Sequence, residues 1–406
     1  MKKVITDKKR IDEVLTRGVE KIYPNKESFE KVLLSGKRIS LYCGFDPSAE
    51  SLHIGNAIQL NKLSQFQELG HDVIFLIGDF TGMIGDPTDK SAARKKMTRK
   101  EVLANSKLYK EQAGAYLDFG GDNPARVLYN SQWSDSLSFS GLIDLASNFT
   151  AQQTLARDMF KKRLAAGKDL FLHEFLYPMM QAYDSVCMDV DLEIGGNDQM
   201  FNMLAGRTLM KKMKNKEKFV MTTGLLVDPG GKKMGKSEGN AVFMNEDPEN
   251  IYGQVMSWPD GVIGMAFELC TKVPMLEARL IREQLKGGKV NPRDLKMKLA
   301  FEITKIMRGE ELANQAQDYF IKTIQKKQAP KEVKSIKLKA KSINVVDLLV
   351  KANLASSKGQ ARRLIQQNGI KIEGRIIDDV NEQIDIKKTG ILAQRGKRQF
   401  IKVFAS

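Results

Sequence analysis

Two stretches carry residues able to handle a triphosphate, and they lie far apart in the chain. The first runs Tyr42-Cys43-Gly44-Phe45-Asp46-Pro47-Ser48-Ala49-Glu50-Ser51-Leu52-His53-Ile54-Gly55-Asn56. It follows a β-capable run from Ile39 and precedes the helical spacing Ile58, Leu60, Leu63, Phe66, Leu69. A strand that hands over to a helix puts this motif at the strand's carboxyl end, where open α/β sheets hold ligands. A helix starting near His53 offers unpaired backbone N–H groups, and Gly55 lets a nucleotide approach the chain closely. The second stretch is Gly231-Lys232-Lys233-Met234-Gly235-Lys236-Ser237-Glu238-Gly239-Asn240, a glycine-flanked loop. Such a loop can swing Lys233 and Lys236 onto the charge that develops on a leaving pyrophosphate. Alone, the first also reads as an ordinary helix start and the second as a solvated turn. Their joint presence favours nucleotide chemistry.

A third stretch supplies groups that could recognise a small polar substrate. In His173-Glu174-Phe175-Leu176-Tyr177-Pro178-Met179-Met180-Gln181-Ala182-Tyr183-Asp184, a helix would align Tyr177, Gln181 and Asp184 on one face. Gln and Asp are rarely buried without partners, so the stripe is either a structural hydrogen-bond network or a binding face. Two further loops fall at strand ends. One is Asp79 to Lys90, with Asp86, followed by the basic cluster Arg94-Lys95-Lys96; the other is Gly195-Gly196-Asn197-Asp198-Gln199. Each could also be a plain connection or helix cap.

These residues need elements to hold them. The strand before Asp46, its helix to Gly70 and the apolar run Asp72–Ile77 make a βαβ unit, so the expected fold is α/β, a doubly wound parallel-sheet (Rossmann-like) catalytic domain. Residues 1 to about 38 read as helical, with Ile11, Val14, Leu15, Val19 and Ile22 at helix spacing before Pro24. Met188 to Ile194 reads as a strand. The expected domains are 1–240, with an insertion near 98–163; 241–325, an α-helical domain; 326–341, a lysine-rich linker; and 342–406, a small basic α+β module. In that module Ser356 could cap a helix bearing Lys358, Arg362 and Arg363, followed by short strands around Glu373-Gly374.

Composition bounds the partners. At 406 residues the chain can bury two or three cores, and its formal charge of +16 attracts polyanions. Residues 331–406 hold 17 Lys+Arg against 7 Asp+Glu, so the last fifth carries most of that excess. No apolar run is long enough to span a membrane, and the basic N-terminus lacks the apolar segment of a signal peptide. Cys43, Cys187 and Cys270 are too scattered for a disulfide framework or zinc site and suit a reducing cytoplasm, while His53, His71 and His173 build no histidine metal cluster.

Together the two loops resemble the HIGH and KMSKS signatures of class I aminoacyl-tRNA synthetases, and YCGFDPSA over 42–49 is similar to the bacterial tyrosyl-tRNA synthetases. The resemblance covers about Ile39 to about Phe404. It implies tyrosine activation by ATP and transfer to tRNA(Tyr), with Mg²⁺ arriving on ATP, no protein-bound metal, no membrane, a cytoplasmic location and a homodimer formed through the insertion. By the same resemblance, His53, Asn56, Lys90, Arg94, Lys233, Lys236 and Ser237 serve catalysis. Asp86, Tyr177 and Gln181 would hold the α-ammonium, Tyr42 and Asp184 the phenol, and Gln199 the ribose or substrate carboxylate. ATP would meet Gly44, Asp46, His53, Gly55, Gly195, Asp198 and Lys236; the resemblance makes 241–325 the anticodon-binding domain and 342–406 an RNA-binding module of the ribosomal-protein-like type, where RNA would meet Lys358, Arg362 and Arg363. Asn56 replaces the family's second histidine, yet an amide still donates and accepts. Asparagine there also occurs in tryptophanyl relatives, one alternative; a non-catalytic RNA-binding relative is another, and a small-metabolite nucleotidyltransferase would have no use for the basic module.

Overall fold

Asp72-Val73-Ile74-Phe75-Leu76-Ile77 is apolar along nearly its whole length, and from Val73 on its side chains are buried on both faces of the sheet that holds it. In the computed structural model the described residues are 3–88, 96–234, 241–288, 290–325, 335–340, 342–387, 389–396 and 399–405. The chain divides into two units, Met1–Glu246 with Val255–Gly309, and Asp247–Gln254 with Glu310–Ser406.

The first unit is built on six strands: β1 (Val19–Tyr23), β2 (Ser40–Phe45), β3 (Asp72–Ile77), β4 (Arg126–Tyr129), β5 (Leu192–Gly196) and β6 (Phe219–Thr223), in the order β1-β6-β5-β2-β3-β4. Five run parallel; β1 joins the edge antiparallel to β6, so the sheet is mixed rather than purely parallel. The helix Ile54–Glu68 crosses from β2 to β3 and buries Leu60, Leu63 and Phe66. Chain order reverses beside β2, which has β3 on one side and β5 on the other.

The N-terminal reading needs correction. Helices span Lys8–Thr16 and Lys26–Leu34, but Val19 and Ile22 belong to β1. Gly18, at φ +60°, breaks the helical course, and the half-apolar stretch after it finds a partner in the open edge of β6. Met188 likewise ends the helix Leu172–Met188, and β5 starts only at Leu192. The helices Ile263–Cys270, Met275–Lys286 and Pro292–Arg308 cluster with the sheet unit instead of standing with the rest of 241–325. Buried Arg17 helps explain this, donating to the carbonyls of Phe267, Thr271 and Val273.

In the second unit, β7 (Ser335–Leu338), β8 (Ser342–Asn344), β9 (Ile370–Ile372), β10 (Arg375–Ile376), β11 (Gln383–Asp385), β12 (Ile391–Arg395) and β13 (Gln399–Ala405) form a five-stranded sheet, β10-β9-β12-β13-β7, and a β11-β8 pair. Two helices, Val345–Lys351 and Lys358–Gln366, share its core of Leu348, Leu349, Ala361 and Ile365. Part of the stretch read as linker is thus strand, since β7 pairs parallel with β13. The cap of the second helix is Ser357, which accepts from Gln360 N–H, while Ser356 bonds the Gln360 side chain.

Candidate active site

The ladder between β2 and β5 contains only Leu41 opposite Leu192 and Tyr42 opposite Glu193, whereas β2 stays paired with β3 out to Phe45 and Ile77. Beyond Tyr42 the two strands are no longer bonded to each other, and a cavity of about 800 Å³ opens at the switch point. Every described residue expected at the catalytic centre lines it: Tyr42, Gly44, Asp46, His53, Gly55, Asn56, Asp86, Tyr177, Gln181, Asp184, Gly195, Asp198, Gln199 and Lys233. Lys90, Arg94, Lys236 and Ser237 lie outside the described residues.

Much of the first motif is a helix cap. His53 precedes the helix, and its Nδ1 accepts from Gly55 N–H at 3.0 Å, which makes Nε2 the ring's donor. Asn56 Oδ1 accepts from His53 N–H at 3.0 Å and closes the capping box, leaving the amide NH₂ as the donor for a ligand. A Cβ at Gly55 would stand 2.8 Å from His53 Cε1, so this cap requires glycine there.

Backbone pairing joins the second loop to the first motif. Ile54 N–H donates to Val242 O at 2.9 Å and Met244 N–H to Leu52 O at 2.8 Å, while Met234 N–H donates to Leu226 O. Both flanks of 235–240 are thereby anchored near the cavity. Lys233, expected at the pyrophosphate, is ion-paired with Asp198, expected at the nucleotide.

The deeper wall is a buried polar network. Asp184 Oδ1 accepts from Trp133 Nε1–H at 2.7 Å and Oδ2 from Asn130 Nδ2–H at 3.2 Å. Burial pushes the Asp184 carboxyl well above the ordinary value; the Trp133 and Asn130 donors oppose this, and the charges of Glu193 and Asp46 reinforce it. Burial also raises the Tyr42 phenol, so Tyr42 is a neutral hydroxyl, 2.9 Å from Ser185 Oγ. Nearer the first motif, Asp46 accepts from Tyr177 OH at 2.8 Å and from Thr81 Oγ1 at 2.7 Å. Asp86 accepts from Gln199 Nε2–H at 2.7 Å and from the Thr88 hydroxyl at 2.7 Å. Gln181 Nε2–H donates to Glu193 at 3.0 Å.

Asn130, Trp133, Ser185, Glu193 and Lys218 were not among the expected site residues. A carboxylate inside the otherwise apolar strand β5 was the available signal for Glu193, since acids are seldom buried alone. Asn130 and Trp133 reach Asp184 across some fifty positions, a separation no local pattern records.

Comparison with known proteins decides the family. Residues 34–325 match the family described as tRNA synthetases class I (W and Y), and residues 325–403 match the tyrosine–tRNA ligase SYY-like C-terminal domain. The chain is 40% identical to the tyrosine–tRNA ligase of Thermotoga maritima over 392 residues, 96% of each chain. It is 41% identical to tyrosine–tRNA ligase 2 of Clostridium acetobutylicum over 402 residues, 97% of this chain and 99% of that one. The chain belongs to the tyrosine–tRNA ligases. A C-terminally truncated mitochondrial tyrosyl-tRNA synthetase of Coccidioides posadasii has the same fold, with a TM-score of 0.63 at 25% identity over 76% of this chain and 91% of that one.

Tyrosine–tRNA ligases are ATP-dependent enzymes of class I, and both halves of this one match their family in order. On its C-terminal domain, Arg362 and Arg363 are exposed, whereas Lys358, also exposed, pairs with Asp347 at 2.7 Å. Among the described residues no group of three His, Cys, Asp or Glu is placed to hold a metal ion, and no helix is long and apolar enough to cross a membrane.

Proposed function

We propose that the cavity binds tyrosine and ATP together, forms tyrosyl-adenylate, and hands the tyrosyl group to tRNA(Tyr). The observation that carries this reading is the buried Asp184 side chain lining the same cavity as the Tyr42 hydroxyl, carboxyl oxygens that can accept and a hydroxyl that can donate to a phenol. The α-ammonium would meet Asp86, Tyr177 and Gln181, with Gln199 steadying Asp86. ATP would lie along Gly44, Asp46, His53, Gly55, Gly195 and Asp198.

Adenylation needs no general base, because the amino acid's carboxylate is itself the nucleophile. Its oxygen bonds to the α-phosphorus while the bond to the β-phosphate oxygen breaks, and pyrophosphate leaves with that electron pair. The enzyme's part is alignment and charge stabilisation. His53 Nε2–H and the Asn56 amide are donors for that charge, and Lys233, once released from Asp198, is another; Lys90, Arg94, Lys236 and Ser237, outside the described residues, would add theirs. Mg²⁺ travels with ATP as part of the substrate. A terminal ribose hydroxyl of tRNA then attacks the acyl carbon and AMP departs.

The C-terminal module, through Lys358, Arg362 and Arg363, would grip tRNA by its phosphates. A homodimer fits the apolar side chains left exposed between 139 and 172, Phe139 at 79% and Leu172 at 86% among them. Three free cysteines accord with a cytoplasmic enzyme. Exchange of labelled pyrophosphate into ATP tests the core of the proposal. It should depend on tyrosine, and exchange with tryptophan but not tyrosine would overturn the reading.

A further inference from the structure

We infer that the buried Lys218–Glu193 pair sets the hydrogen-bond polarity of the amino-acid pocket, making Tyr42 a donor and Gln181 an acceptor; this rests on the tyrosine-activating reading above. Lys218 immediately precedes β6 and is fully buried, where lysine is rare without partners. Its Nζ donates to Ser185 Oγ at 2.8 Å and to Glu193 Oε2. Gly206 makes room for it, since a Cβ there would stand 2.5 Å from Lys218 Nζ and 3.0 Å from Ser185 Oγ. Burial pulls the lysine below its ordinary value and the Glu193 charge opposes that pull.

An ammonium only donates. Ser185 Oγ therefore accepts from Lys218 and must send its own proton elsewhere. Tyr42 Oη at 2.9 Å is nearer than Glu193 Oε2 at 3.4 Å. With Ser185 donating to it, Tyr42 turns its proton toward the cavity, where a phenol oxygen can accept it and pass its own proton on to Asp184 as a hydrogen bond. The second arm runs through Glu193 Oε1, which accepts Gln181 Nε2–H at 3.0 Å. A carboxylate only accepts, so the amide's orientation is fixed and its Oε1 is left buried with no partner among the described residues. An acceptor in that position asks for a donor from the ligand, and an α-ammonium supplies one.

Lys218 is thus a positioning residue that touches no substrate. Three variants test it: Ser185→Ala, which breaks the first arm without disturbing a charge, Lys218→Met, and the charge-matched Lys218→Met/Glu193→Leu. Pyrophosphate exchange would be measured with tyrosine and with phenylalanine at varied ATP. The KM for tyrosine should rise about tenfold in each variant, and the tyrosine-to-phenylalanine ratio of kcat/KM should fall by a similar factor, with the KM for ATP within about twofold of wild type. A folded Ser185→Ala enzyme with unchanged tyrosine KM and unchanged ratio overturns the inference, as does a parallel rise in the KM for ATP, which marks general loosening. Wild-type enzyme that fails to exchange with tyrosine would instead remove the reading on which the inference stands.

Discussion

Asp184 holds the indole N–H of Trp133 at 2.7 Å. That bond, with the one from Asn130, opposes the burial that drives the carboxyl toward its neutral form. Trp133→Phe removes a donor to the charged form, so the Asp184 carboxyl should climb further. Tyrosine KM should rise several-fold at neutral pH, and the acid limb of its pH profile should move to higher pH. An unshifted limb would separate Asp184 from tyrosine binding.

Asp86 accepts three hydrogen bonds, from the Thr88 backbone and hydroxyl and from Gln199, and these fix its carboxylate at the cavity wall. Asp86→Asn keeps the shape and loses the charge. The KM for tyrosine should increase about 10- to 100-fold, the scale of one charge-assisted hydrogen bond. A smaller effect on tyrosine than on ATP in exchange kinetics would move Asp86 out of the ammonium site.

His71 is buried against Phe66, and burial together with the Arg38 charge lowers its pKa to about 4. In the folded protein the ring stays neutral down to about pH 4, whereas in the unfolded chain it protonates below about 6.5. The unfolded state therefore binds the extra proton between those values, and stability falls as pH drops from about 7 to 4. The loss from this group is about 3 kcal/mol. Urea unfolding of wild type and His71→Leu across that range should show the slope in the first and a flatter course in the second.

Arg362 and Arg363 are exposed on one basic helix, while Lys358 is paired with Asp347. Arg362→Ala/Arg363→Ala should weaken tRNA binding and reduce the slope of log affinity against log salt by about 1 to 2. The tyrosine-dependent exchange reaction, which needs no tRNA, should be unaffected. Filter binding at several salt concentrations reads the slope directly.

Local pattern was legible where one element carries the whole message. Tyr177, Gln181 and Asp184 share a helix face because helical spacing dictates it, and Asp72–Ile77 reads as a buried strand because every side chain after Asp72 is apolar. Val19 and Ile22 misled because their spacing satisfies a helix, while the open edge of β6 rewards a strand. Tertiary partners override local propensity in such short segments.

The amino-acid order by itself determined the two glycine-bearing loops, the pocket side chains and the basic C-terminal module, since each depends on neighbours a few positions apart. Only folding decided that Asn130 and Trp133 would clamp Asp184, that Lys233 would pair with Asp198, and that Lys218 would bond Ser185, the hydroxyl beside Tyr42. Buried polar groups must find partners wherever the packed chain delivers them, and strand order, which brings β5 beside β2 across some 150 residues, is set by the whole core rather than by any one segment.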